Sequence, residues 1–218
     1  MKYLASTVHF QDTLASLQNE FKEDRSNDLI ICGAHDFSKY NELSGLRAHF
    51  DKIIIFNQEP LTATQRQFMH TRYENWIKEA DEVWDYDEKN IEYLQKIRSD
   101  VKLHVLKPFK DWSKCQVPEK DIDILFYGAM NEHRATVLNE LRKRYNVVVI
   151  GNVFGDALDD FILRSKVLLN IHYYYECAMQ EQARMIRWIG SPCRIISERS
   201  WKNYLNVEEL EYKELLKL

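Results

Sequence analysis

A chain of 218 residues with 45% hydrophobic and 12% aromatic side chains has ample material for packed cores, which excludes global disorder. The length suits one domain or two small ones. A formal net charge of −4 excludes a uniformly basic surface of the kind that binds nucleic acid over a whole face.

Strand and helix signals alternate along the chain. Apolar runs predict strands at Tyr3–Val8, Leu29–Cys32, Ile53–Phe56, Glu82–Trp84 and Leu103–Leu106, then at Ile122–Tyr127, Val147–Ile150, Val167–Ile171 and Arg194–Ser197. Several are continuous rather than alternating, as parallel strands covered on both faces require. Helical patterns lie between them at Phe10–Glu23, Tyr40–Phe50, Ala63–Glu79, Glu88–Arg98, Asn131–Arg144, Ala157–Ser165 and Met179–Ile189, with Thr62 and Asp87 as N-cap candidates. This order predicts an α/β protein built from doubly wound parallel sheets with right-handed crossovers. The stretch 108–120 lacks strand signals and holds Pro108 and Pro118. It is expected to be a linker between domains at 1–107 and 121–218. The tail Trp201–Leu218 reads as a helix with Trp201, Tyr204, Leu205, Leu210, Leu215 and Leu216 available for packing.

The four cysteines, Cys32, Cys115, Cys177 and Cys193, stand far apart without a C-x-x-C pair. Free thiols in a reducing compartment are expected, with neither a disulfide framework nor zinc. The opening MKYLASTVHFQD has too short an apolar run for a signal peptide, and no stretch nears the length of a membrane span. A cytoplasmic protein without a membrane span is expected.

In parallel sheets ligands bind beyond the carboxyl ends of the strands. Those ends supply His9, Asp12, Gly33, His35, Asp36, Asn57, Glu59, Asp85 and Asp87 in the first half, and Gly128, Asn131, Gly151, Asn152 and His172 in the second. Gly128 leads through Ala129 and Met130 to Asn131 at a predicted helix start, where backbone N–H groups and the helix dipole favour a diphosphate, with Arg134 adding charge. An ordinary turn capped by Asn131 is the alternative. His172 and Tyr173–Tyr175 leave the third strand of that half, where one ring can stack on a base. Glu181 and Arg184 stand three residues apart and can share a helix face. The carboxylate suits a ribose diol and the guanidinium a phosphate; a plain surface ion pair explains the spacing equally well. Asp85-Tyr86-Asp87 has the D-x-D form of a metal motif, yet its place after a short strand favours a turn and helix cap, so no metal is assigned.

The run LNIHYY (169–174), followed by a spacer, E-x-x-R, a helix and a strand ending at Ser197-Glu198, is similar to the C-terminal half of GT-B glycosyltransferases. The group it resembles has CgeB-like, glycosyltransferase-family-1-type C-terminal domains. Residues 121–151 resemble the strand-loop-helix that opens that domain, and NQEP (57–60) with EVWDYDEKNIEYL (82–94) resembles part of the first. The resemblance implies two small Rossmann-like domains facing a cleft, acceptor side first and nucleotide-sugar side second. It implies a donor site of Gly128, Asn131, Arg134, His172, Tyr173, Glu181 and Arg184, and candidate bases Glu59, Asp36 and His35. A nucleoside diphosphate sugar is then the co-substrate, with no tightly bound cofactor. The acceptor is a glycan or lipid, or a hydroxymethylated base in DNA, for which Arg66, Arg72, Lys78, Lys89, Lys96, Arg98, Lys107 and Lys110 offer a basic stripe. Inverting transfer needs a base and retaining transfer does not. A non-catalytic nucleotide-binding α/β module is the competing reading.

Overall fold

The structure is a computed structural model that describes residues 1–61 and 69–218. The chain divides into two compact units, Met1–Lys107 and Pro108–Leu218. Each contains a five-stranded sheet in which every pairing is parallel. Both are Rossmann-like α/β units.

The first unit runs β1 (Lys2–Ala5), a 3-10 turn (Val8–Phe10), α1 (Gln11–Glu20), β2 (Leu29–Cys32), α2 (Ala34–Phe37), α3 (Leu43–Arg47), β3 (Ile53–Asn57), α4 (Thr71–Glu79), β4 (Glu82–Asp85), α5 (Glu88–Leu94) and β5 (Lys102–Leu103). Its strands lie in sequential order from β1 to β5, without a reversal. Strand residues point alternately to the two faces. Leu29, Ile31, Ile53, Ile55 and Val83 therefore join one core with Tyr73, Trp76 and Ile77 of α4 and Ile91 and Leu94 of α5. On the other face Phe56 and Trp84 meet the ring of His104, and Phe21 at the end of α1 packs on Trp84. Both faces of β2 and β3 are thus buried, which is why LIIC and IIIFN carry almost no polar residues.

The second unit runs β6 (Ile122–Tyr127), α6 (Glu132–Leu141), β7 (Val147–Ile150), α7 (Asp156–Leu163), β8 (Ser165–Asn170), α8 (Gln182–Met185), β9 (Arg194–Glu198), β10 (Glu208–Leu210) and α9 (Tyr212–Leu215). The strand order β10-β9-β8-β6-β7 reverses direction between β6 and β8. Loops leaving two such neighbours diverge to opposite faces and open a crevice at the carboxyl edge, the switch point where open α/β sheets bind ligands. Val137, Leu138 and Leu141 of α6 cover one face with Ile124, Phe126, Leu169 and Ile196, while Trp112, Ile162, Met185 and Trp188 cover the other with Leu125 and Leu168.

Several elements depart from the sequence expectation. The helix over 179–189 shrinks to α8, one turn. The tail is no single helix: Glu208–Leu210 pair with β9 as an edge strand, and only Tyr212–Leu215 are helical. Leu210, Leu215 and Leu216 pack into the second unit's own core. The stretch 108–120, expected as a linker, belongs to the second unit. It is held there by buried Trp112, whose indole N–H donates to the Arg187 carbonyl at 2.9 Å. Thr62 and Arg66 lie outside the described residues, as does the start of the helix expected from Ala63. Within the described part His70 caps α4, its ring nitrogen accepting from Tyr73 N–H. Among the described residues no helix is long and apolar enough to cross a membrane.

Candidate functional site

The switch point of the second sheet gathers most of the donor-site residues expected there. Gly128 follows β6 with φ 141°, and a Cβ there would stand 2.8 Å from Nη2 of Arg184. The positive φ favours glycine at this position, and the Arg184 guanidinium lies over it. Asn131 caps α6, its Oδ1 accepting from Arg134 N–H at 2.9 Å. Its Nδ2 donates to the carbonyl of Tyr173 at 2.8 Å. One side chain therefore starts the helix and ties together the loops on either side of the crevice.

Arg134 is fully buried. Its Nε donates to the Ile171 carbonyl at 2.8 Å and its Nη1 to the Ala129 carbonyl at 2.7 Å. Nη2 meets both oxygens of Glu181 at 2.8 and 2.9 Å. The guanidinium also lies 5.3 Å from the Phe126 ring centroid and 5.1 Å from that of Tyr173, close enough for a cation–π contact. Glu181 further accepts from Tyr173 N–H at 2.7 Å and from Arg184 Nη2 at 2.7 Å. A carboxylate offers about four acceptor positions, and these contacts occupy them. In this structure Glu181 thus clamps two arginines; the sequence had suggested a ribose diol as its partner. It precedes α8 instead of sharing a helix face with Arg184.

Two guanidinium groups around one carboxylate leave an excess of positive charge. Burial pushes Arg134 down to about 10 against the pull of Glu181, so it remains cationic at neutral pH. Burial acts to raise the Glu181 carboxyl, but Arg184 and Arg134 outweigh it and hold the group below its usual value. Arg184 is the less committed of the pair. Its Nη1 reaches Asn170 Oδ1 at 3.3 Å, a long contact. The cluster lies beside the N-terminal end of α6, whose dipole has the same sign.

His172 is buried at the end of β8. Its backbone N–H donates to Glu198 Oε2 at 2.9 Å, and its Nε2 donates to the Arg199 carbonyl at 3.2 Å. Glu198, on β9, also binds His133 Nε2 at 2.9 Å. The His133 ring is stacked between Tyr175 and Tyr212 at 4.7 and 4.8 Å. The sequence did not single out His133; nothing local distinguishes it from any polar residue in a first helical turn. Arg187, one turn beyond Arg184, is buried against Asp159 at 2.6 Å. Asp159 also pairs with Lys110.

The three candidate bases belong to the first unit. His35 is buried in α2 with Nε2 3.4 Å from Asp36 Oδ2. Burial pushes its pKa below the usual 6.5, against the attraction of Asp36. Burial also acts on Asp36, but Lys39 at 2.8 Å and His35 hold that carboxyl below the ordinary range. Glu59 is half-buried in the loop after β3. That loop is braced from below: Asn57 Nδ2 and Asn90 Nδ2 both donate to the Glu59 carbonyl, at 2.9 and 3.0 Å. Both amides also reach Asp85, at 2.7 and 3.2 Å. Asp85 is fully buried, and burial lifts its carboxyl well above the ordinary range despite these donors. Asp87 caps α5 through Lys89 N–H. The D-x-D segment is therefore an internal brace and a cap. Among the described residues, no group of three or more His, Cys, Asp or Glu side chains is placed to hold a metal ion.

Fold and site together define a two-unit parallel α/β protein with an anion-favouring arginine cluster at one switch point. No family model matches the chain. It is similar to uncharacterized proteins of Acanthamoeba polyphaga mimivirus. One is 28% identical over 175 residues, covering 75% of this chain and 22% of the relative. A second is 24% identical over 217 residues, covering 88% and 66%. A third is 26% identical over 163 residues, covering 73% and 55%. The chain thus spans about a fifth of the first of these relatives, at 22% of its length. Among solved structures, the crystal structure of a GtfA/B complex bound to UDP and GlcNAc is similar at 14% identity and a TM-score of 0.37, over 94% of this chain and 50% of that one.

Proposed function

We infer that the protein is a glycosyltransferase whose second unit binds the diphosphate of a nucleoside diphosphate sugar at the β6/β8 switch point. The observation that carries this reading is the Arg134–Glu181–Arg184 cluster. It is a net cation, pre-positioned by Ile171, Ala129 and Tyr173. It lies beside a helix N-terminus and over a glycine that lets a ligand approach the backbone. Arg184, with one long contact to Asn170, is the group that can turn toward phosphate, while Arg134 and Glu181 are fixed by the backbone groups around them. The sequence resemblance in the same residues supports the reading.

A carbohydrate acceptor is favoured over DNA. Three of the first-unit basic residues that would form a phosphate stripe are paired with acids: Lys78 with Glu74, Arg98 with Asp100 and Lys107 with Glu20. Calorimetric titration with UDP, GDP, ADP and their sugars tests the donor reading, followed by a turnover assay. A nucleotide should bind, and Arg184→Ala should weaken it at least tenfold, about 1.4 kcal/mol, through a lost charged hydrogen bond. Equal binding by the folded variant refutes the site. Binding without turnover of any nucleotide sugar leaves a binding module in place of an enzyme.

A further inference from the structure

The first unit contains a cavity of about 470 Å³ where the chain passes from α2 to α3, beside β1 and α4. That volume is in the range of small-ligand sites. Phe37, Leu46 and the nearly buried Trp76 give it apolar walls, and Tyr40, 85% exposed, stands at its rim with Asn41 and Glu42.

A second observation comes from Gly45, in the middle of α3. A Cβ there would meet nothing within 4 Å, and the residue has no positive φ. Neither crowding nor backbone strain requires glycine, although glycine inside a helix costs stability relative to alanine. Gly45 lines the cavity. A bulky side chain at this exposed lining position would stand beside the cavity.

The chemistry of the lining selects the ligand. Among the described lining residues, Glu42 is the one charged side chain, and neither Lys nor Arg is present, which disfavours anions. Glu42 precedes α3 without making a side-chain capping bond, so its carboxylate remains an acceptor. Asn41 uses its Nδ2 on the Phe37 carbonyl at 3.0 Å, which leaves Oδ1 as another. Aromatic faces with adjacent acceptors suit a ligand that has one C–H face and several hydroxyl donors.

We propose that this cavity binds a neutral sugar ring, at a saccharide site in the first unit separate from the arginine cluster of the second. The sugar's apolar face packs on Tyr40 and its hydroxyls donate to Glu42 and Asn41. The site does not depend on the donor reading.

The test uses the full chain and a panel of glucose, galactose, N-acetylglucosamine and maltose, with tetramethylammonium as the competing cationic probe. Binding is followed by saturation-transfer NMR and by the indole N–H resonance of Trp76. A saccharide should bind with a Kd on the order of millimolar and shift that resonance. Gly45→Leu, which places a bulky side chain on the cavity lining, and Tyr40→Ala, at an exposed position, should each weaken binding about tenfold or more. Gly45→Ala should keep binding and raise the melting temperature, showing that the position tolerates a side chain. Nucleotide affinity should be unchanged in all three variants. The proposal is overturned if no sugar of the panel binds, if both blocking variants bind as wild type does, or if only tetramethylammonium binds. Saccharide binding without binding of any nucleotide or nucleotide sugar would sink the donor reading and leave this one standing.

Discussion

Removing the Glu181 carboxylate tests whether the arginine cluster is a clamp built into the fold. In Glu181→Ala the Tyr173 N–H and Nη2 of both Arg134 and Arg184 lose their acceptor. Arg134 cannot escape to water, since its side chain is 1% exposed; Arg184, at 14%, can partly do so. Breaking a buried ion pair from one side costs about 3–5 kcal/mol, and that range is expected for the second unit. Glu181→Gln keeps the shape and one of the two acceptor oxygens but loses the charge, so it should cost less than Glu181→Ala, about 2 kcal/mol. Because the carboxyl is held below its ordinary value of 4.5, its contribution is present above that pH and is lost as pH falls through the folded value. The wild type should therefore lose stability below about pH 4.5 more steeply than Glu181→Gln does. Hydrogen exchange of the β6 and β8 amides at pH 7, with urea unfolding at pH 3 to 7, measures both effects. A loss under about 1 kcal/mol in Glu181→Ala would mean that the two arginines are solvated without the carboxylate, and the clamp would be wrong.

Three further outcomes are expected. Asn131→Ala removes the α6 cap and the tie to the Tyr173 carbonyl, and should cost about 1–2 kcal/mol in urea unfolding while Asn131→Asp, which keeps the cap, costs less. Asp85→Ala strands the amides of Asn57 and Asn90 beneath the Glu59 loop and should destabilise the first unit by about 3 kcal/mol, read from exchange of the β3 and β4 amides. His35 and His104 both have pKa values pushed below 6.5 by burial, so stability is full above that pH and falls as it drops through the folded values; His104→Phe should flatten part of this acid limb in pH-dependent melting.

The sequence by itself determined the parallel sheets and their carboxyl edges. LIIC, IIIFN, ILFY and VLLN are continuous apolar runs because each strand is covered on both faces, and that signal is local. The caps at Asp87 and Asn131 were legible for the same reason, since a cap bonds only two or three residues ahead. Tertiary structure alone decided what the polar residues at those edges do. Arg134 and Glu181 are 47 residues apart and His133 and Glu198 are 65 apart; no periodicity relates them until β6, β8 and β9 lie side by side. The tail shows the same limit. Its apolar spacing fits a helix, but pairing of Glu208–Leu210 with β9 satisfies those backbone groups across the sheet, and a nonlocal partner outweighs local propensity. Strand order is also nonlocal. Similar alternating elements make a sequential sheet in the first unit and a reversed one in the second, and the reversal puts Gly128 and Tyr173 on either side of one crevice.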